Sequence, residues 1–405
     1  MNERRLFQAS CVALIATAMS FAIRGDIMGD LETVFALSKT ELGWIAGAAF
    51  WGFGLAIFFG GPLCDILGMG NLLRFAAAGH IGGVLLTIIA PNFMALFLAT
   101  VLIGIANGLI EAAVNPLVAT IFPNNKTAKL TLLHAWFPGG IVIGGVAAYL
   151  LTQMAQPGVP VATFLGIASW KAKMLLMLVP SVVYAAMFVG HRFPDTERVA
   201  AGVSFGDMFR ELLRPLFIVI FVCMWLTAAT ELGFGAWVTN IFNEVMPAGT
   251  QSGILVLVLI NGIMYLMRQF AGDVSHRVSP VLLIAVTSLP AAAGLYLFSQ
   301  AQSAPMAIVG AVLVAVGTAF WWPTMLGITS ERFPRGGALA LAVIGGTGSI
   351  STALAGPVMG AINDANGPRA VVATWALLPL VLFVIFMAIH LSDKAKGGYK
   401  AEKIG

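Results

Sequence analysis

Twelve runs of about twenty mainly apolar residues follow one another along this chain, and no other feature constrains its fold so tightly. A helix needs roughly 20 such residues to cross about 30 Å of hydrocarbon, and a spanning segment must satisfy its own backbone groups there. The runs cover 6–27, 42–63, 72–90, 94–122, 132–153 and 171–190, then 216–242, 253–270, 281–299, 306–330, 338–362 and 370–391. Composition agrees: 59% of the 405 residues are apolar and 10% charged, where soluble proteins carry about 25% charged residues. Too few charges remain to cover a water-soluble globule, a disordered chain or a nucleic-acid binder. Cys11, Cys64 and Cys223 fall in or beside apolar runs without metal-ligand spacing, so no disulfide scaffold or metal site is expected. The first run follows Arg4 and Arg5 like a leader peptide, but it is too long for one and is expected to be a retained span.

Lys and Arg set the expected orientation, since cytoplasmic loops are enriched in them. With the N-terminus inside, all 22 fall on inner segments except Arg24, Lys39, Lys171, Lys173 and Arg369. The expectation is therefore a multi-pass protein of the cell (inner) membrane with both termini cytoplasmic. The hydrophilic stretch 191–214 divides the spans six and six, giving expected bundles over 1–190 and 215–405, the second ending in a short basic tail. The halves echo each other: Asn115-Pro116 and Phe122-Pro123 close the fourth span, and Trp322-Pro323 and Phe333-Pro334 close the tenth. Parallel six-span repeats around a midplane site are a known transporter design.

A charge near mid-bilayer costs about 2.5–3.5 kcal/mol on insertion scales, so it marks function by default. Glu111 is the clearest case, with Asn107 and Asn115 four residues to either side on one helix face. A carboxylate between carboxamides can hold sugar hydroxyls or a cation; it can also merely fix helix packing, though Asn alone would do that at lower cost. Glu231 lies in the seventh span near Trp225, Trp237 and Asn240, where a substrate, an ion or a structural partner are open readings. Asp26 and Arg24 end the first span, as part of a cavity or as a snorkelled edge cluster. His80 reads as a satisfied core histidine, and His134 is ambiguous. Asn261 and Tyr265, four apart in the eighth span, can line a cavity. Trp321 and Trp322 point two ways, so at most one faces a substrate. No nucleotide-binding loop, metal spacing or Ser–His–Asp set is present, so neither an enzyme nor a cofactor is expected, and uphill work must draw on an ion gradient.

Between the second and third spans, Gly61-Pro62-Leu63-Cys64-Asp65-Ile66-Leu67-Gly68 resembles the G-x-L-x-D-x-x-G loop of the major facilitator superfamily. That family usually continues with basic residues; here Met69, Gly70 and Asn71 intervene before Arg74. The resemblance implies that Gly61, Asp65, Gly68 and Arg74 form a conformational latch, with Gly272-Asp273 and Arg277 as a degenerate counterpart. Glu111-Ala112-Ala113-Val114-Asn115-Pro116 is similar to the fourth-span signature of the fucose–proton symporter family. That likeness implies an all-helical membrane protein of twelve spans in two six-helix bundles, importing a small neutral sugar or sugar derivative by proton symport. Glu111 and Asp26 would carry proton coupling. Asn107, Asn115, Glu231, Asn261, Trp321 and Trp322 would meet the substrate. The expected partners are the sugar, a proton and the lipid bilayer, for a monomer with no nucleic-acid role. Sodium coupling, drug–proton antiport and a non-transporting sugar receptor are the alternatives.

Overall fold

With no water in hydrocarbon to take up backbone groups, each apolar run closes its own hydrogen bonds as a helix. The computed structural model describes residues 2–37, 39–200, 202–246, 253–270 and 277–402. Four long helices open the chain: α1 (Glu3–Phe35), α2 (Lys39–Leu67), α3 (Met69–Ile89) and α4 (Phe93–Ile121). The next span is α5 (Lys126–His134) continued by α6 (Trp136–Met154), and the sixth is α7 (Ser169–Leu176) with α8 (Leu178–Phe188). A two-residue antiparallel hairpin, β1 (Thr163–Phe164) and β2 (Ile167–Ala168), lies between them. Short helices α9 (Glu197–Ala200) and α10 (Phe205–Leu212) lead to α11 (Pro215–Ala228), a π-helical turn Ala229–Gly233, and α12 (Phe234–Val245). The remaining elements are α13 (Gly253–Gln269), α14 (Pro280–Ser299), α15 (Ala304–Thr318), α16 (Trp321–Arg332), α17 (Gly337–Asn366), α18 (Pro368–Trp375) and α19 (Leu377–Ala395). Among the described residues, 11 helices are long and apolar enough to cross a membrane, and the apolar helix Leu255–Gln269 is shorter.

The chain divides into two compact units, one of Met1–Ile121 with Trp136–Thr196, the other of Phe122–Ala135 with Glu197–Gly405. The units part after Ile121, Ala135 and Thr196, so α5 packs with the second unit. In the first unit α2 and α3 pack on α4, and α1 packs on α6 and α8. In the second, α14 packs on α15 and α19, and α11 on α17. Lipid is as apolar as Leu, so such helices associate through close packing and hydrogen bonds rather than the hydrophobic effect. The α2–α4 seam shows this. A Cβ on Gly104 would sit 2.4 Å from Ala49 O, and one on Gly108 would sit 2.4 Å from Phe53 O, so only glycine lets the backbones meet. Facing away from these seams, Phe59, Phe75, Ile89, Leu98, Val179 and Val384 are exposed, as lipid contact requires.

Two boundaries differ most from those read in sequence. The first span runs on from residue 27 to Phe35, because Asp30 and Glu32 interrupt hydropathy but not helicity. Leu31 is buried in the core beside Trp170, Phe35 meets the Trp170 ring at 6.2 Å, and the helix stops only where Ala36 turns left-handed at φ 50°. The fifth span starts at Lys126 rather than residue 132, with Thr131 returning its hydroxyl to Thr127 O. Gly272 and Asp273, the degenerate latch counterpart, lie outside the described residues.

Candidate functional site

Asn107 stands midway along the 29-residue α4, and a one-way chain of hydrogen bonds passes through it. Tyr184 Oη donates to His80 Nδ1 (3.3 Å), and His80 Nε2 donates to Asn107 Oδ1 (2.7 Å). Asn107 Nδ2 donates to Ser20 Oγ (2.8 Å), and Ser20 donates to Thr17 O (2.7 Å). Because Ser20 gives its proton to a carbonyl, it must accept from Asn107. That orients the carboxamide and places the His80 proton on Nε2. His80 is therefore a satisfied core histidine, and both ends of the Asn107 carboxamide are engaged.

One turn towards the α4 C-terminus, Asn115 Nδ2 donates to Glu111 Oε2 at 2.9 Å. Glu111 is 2% exposed and Asn115 4%, so the carboxylate is held in the packed interior of α4 close to mid-span. The level on the other side holds Arg24, one helical turn beyond Ser20. The sequence reading put Arg24 and Asp26 at the edge of the first span. The Ser20–Asn107 bond instead fixes Ser20 at mid-span and Arg24 about 6 Å from it, because α1 extends well beyond Ile27. Arg24 is 8% exposed. Asp26 accepts from Lys173 Nζ at 2.5 Å, with the lysine side chain buried.

In the second unit the π turn carries Glu231. Such turns often occur at functional sites, and here the wider winding leaves Ala229 O to accept from Trp375 Nε1 at 3.0 Å. Glu231 Oε1 pairs with Arg268 Nη2 at 2.9 Å, both side chains buried. Arg268 also donates Nη1 to His134 O at 2.7 Å and Nε to Ala319 O. Asn261 donates to Leu257 O of its own helix at 2.9 Å. Trp321 is fully buried with its Nε1 on Thr287 Oγ1 (3.0 Å), while Trp322 and the Met224 methyl both pack on Gly348. Trp225 Nε1 donates to Thr347 Oγ1. These indoles thus tie α11 to α17 and α16 to α14.

Of the expected latch, Asp65 accepts from Thr196 Oγ1 at 2.5 Å. Gly68 takes φ 81°, a conformation that favours glycine, at the turn into α3. Gly61 is buried in α2, and Arg74 is exposed, bonding Asn71 Oδ1 at 2.8 Å. Sequence reasoning passed over Arg268, counted as an inner cation although it is 2% exposed. The register was there to be read, since Asn261, Tyr265 and Arg268 share one face of α13. Lys173, Ser20 and Tyr184 were also passed over, each found only through its partner on another helix.

Charged and carboxamide side chains buried within membrane spans are what a transport path requires. The family model of the Major Facilitator Superfamily matches residues 6–339, and the chain belongs to that family. A curated relative, the D-xylose-proton symporter-like 2 of Arabidopsis thaliana, is 27% identical over 146 residues, 34% of this chain and 29% of that protein. The chain thus matches less than a third of that relative's length. Among solved structures, the E. coli fucose:proton symporter FucP aligns with TM-score 0.77 at 17% identity, over 94% of this chain and 98% of that one. The proton:xylose symporter XylE aligns with TM-score 0.78 at 14% identity, over 95% of each chain. At these identities the likeness shows the fold, the twelve-helix architecture expected from sequence.

Proposed function

We propose that the protein is a secondary active importer that carries a small sugar or sugar derivative together with a proton, by alternating access around Glu111. The observation carrying this reading is a carboxylate 2% exposed near the middle of a membrane span, held by the carboxamide of Asn115 at 2.9 Å. In such a site only the neutralised carboxyl is cheap to carry through an occluded state. Protonation from the outer side and release on the inner side then drive the cycle, and the substrate contributes only through unequal affinity for the two states. In the first unit Asn115 supplies a polar contact and Asp26 with Lys173 a second charged station; in the second, Asn261 and Trp322 supply polar and aromatic contacts and Glu231 with Arg268 a third station. The six-span halves 1–190 and 215–405 move about the 191–214 stretch, with the Asp65 loop as latch. The Lys and Arg distribution supports cytoplasmic termini; an inner-membrane location and a monomeric state complete the reading. FucP, XylE and the Arabidopsis relative, each named a proton symporter, support sugar and proton.

The test is internal pH in proteoliposomes while hexoses, deoxyhexoses, polyols and sugar acids are added outside. Acidification with one of them, lost in Glu111→Gln while exchange of labelled sugar persists, is the expected result. Full accumulation in Glu111→Gln removes that residue from coupling, and uptake that needs a sodium gradient instead replaces the proton.

A further inference from the structure

Among the described residues, every buried lysine or arginine has a carboxylate except one. Arg268 has Glu231, Lys173 has Asp26, and Lys126 has Glu197. Arg24, 8% exposed, has none. Its Nη1 is sealed from solvent without a hydrogen-bond partner, and no salt bridge or hydrogen bond reaches the guanidinium among the described residues. The acidic side chains nearby do not serve it. Asp26, two residues on, leaves α1 in another direction and is taken by Lys173. Glu111 lies about two helical turns away, one turn past Asn107 while Arg24 is one turn past Ser20 on the other side, an axial separation of roughly 12 Å.

A second orphan lies on the same face. Thr17 is seven residues before Arg24, nearly two whole turns, and its Oγ1 is also sealed without a partner. Ser10, Thr87 and Thr131 return their hydroxyls to the carbonyl four residues back; Thr17 does not. Ser20, between them, is fully engaged by Asn107 and Thr17 O. Thr17 and Arg24 are thus two sealed, unpartnered groups of α1 about 10 Å apart along its axis, with the Ser20–Asn107 contact between them. The planar fork of an arginine matches a carboxylate with two parallel hydrogen bonds. A single uncompensated cation balances one negative charge, which favours a carboxylate over a phosphate dianion.

We propose that Arg24 anchors the carboxylate of the transported substrate, which makes that substrate a small monoanionic sugar acid rather than the neutral sugar expected from sequence. This inference rests on the sugar-import reading above and narrows its substrate class.

The test is direct binding to the purified protein, by calorimetry, of D-glucuronate, D-galacturonate and D-gluconate against D-glucose, D-galactose and D-glucitol. Sodium chloride and acetate are the simple-anion probes. At least one acid is expected to bind ten-fold or more tightly than its neutral twin. Arg24→Lys should weaken it by ten-fold or more, and Arg24→Gln should abolish the preference. A neutral twin that binds as well as its acid overturns the inference and leaves sugar import standing. So does an acid affinity that Arg24→Gln changes by less than two-fold. Binding of chloride or acetate with none of the acids also overturns it, by giving Arg24 a simple anion. If no acid and no neutral sugar is bound or moved, the import reading fails too. The wild-type comparison decides even where the Gln variant does not fold.

Discussion

Ser20 Oγ accepts from Asn107 Nδ2 at 2.8 Å, and this one bond sets the depth of everything else on α1. The same carboxamide holds His80 on its other end. Replacing it with Ala leaves the His80 N–H without its acceptor and Ser20 without its donor, at a cost of about 1–3 kcal/mol per orphaned group. Asn107→Ala is therefore expected to lower the melting temperature of the detergent-solubilised protein, with His80→Ala less than additive to it. Unchanged stability with lost substrate binding would move Asn107 from positioning α1 to touching the substrate.

The Glu231–Arg268 pair makes a second prediction. Removing one partner of a buried pair strands the other charge, which costs about 3–5 kcal/mol, whereas removing both is far milder. Glu231→Gln and Arg268→Met are each expected to destabilise the protein strongly, and the double variant to recover part of the loss. Arg268 also holds the carbonyls of His134 and Ala319, so recovery stops short of wild type. Additive losses in the thermal melt would mean the two do not act as a pair.

The α2–α4 seam predicts a contrast between glycines. A Cβ on Gly108 meets Phe53 O at 2.4 Å and Ala56 Cβ at 2.7 Å, while one on Gly235 meets nothing within 4 Å. Gly108→Ala forces the helices apart and is expected to cost roughly 1–3 kcal/mol. Gly235→Ala, inside α12, is expected to stabilise by about 0.5–1 kcal/mol. Paired unfolding curves in one detergent read both, and equal effects would remove the close-approach argument.

The C-terminal tail predicts a pH dependence. Tyr399 Oη donates to Glu331 Oε2 at 2.7 Å, Glu402 N donates to Glu331 O at 2.7 Å, and Arg214 reaches both Glu402 oxygens. Burial, and then the Glu331 carboxylate, push the Tyr399 phenol well above its ordinary 10.0. An undocked tail would ionise this phenol near pH 10, so docking is unaffected below that value and weakens as pH rises past it. Subtilisin cleavage within 396–402 should stay slow to about pH 10 and then accelerate, and Tyr399→Phe should speed it already at pH 8. A flat profile would mean the phenol contributes nothing to docking.

Much of this molecule was legible in its sequence for a simple reason. Hydropathy marks each span independently of its neighbours, so the twelve spans and the mid-span Glu111 follow from runs and counting. What could not be read is whatever depends on a second helix. Arg24 sat at a span edge until the Ser20–Asn107 bond showed where α4 crosses α1. Arg268 counted only as an inner cation at the end of the eighth span until Glu231 came to it across a π turn that has no sequence mark. Asn261 lay where hydropathy put it, but only contacts show that it bonds its own helix and that Asp26 is paired with Lys173.

Charge stoichiometry is the sharpest consequence of taking Arg24 and Glu111 together. A neutral sugar that enters with one proton carries one positive charge inward. A monoanionic acid that enters with one proton carries none. Proteoliposomes loaded with potassium and treated with valinomycin in low-potassium buffer develop an interior-negative potential. That potential is worth about 2.3 kcal/mol per charge for each 100 mV. At fixed pH gradient it should leave uptake of the acid unchanged, whereas neutral sugar–proton entry would accelerate many-fold. In Arg24→Gln, any residual neutral substrate that still moves with the Glu111 proton should regain dependence on the potential. Acid uptake driven strongly by an interior-negative potential would require more than one proton per turnover, and a second proton-carrying carboxylate besides Glu111 would then have to be sought.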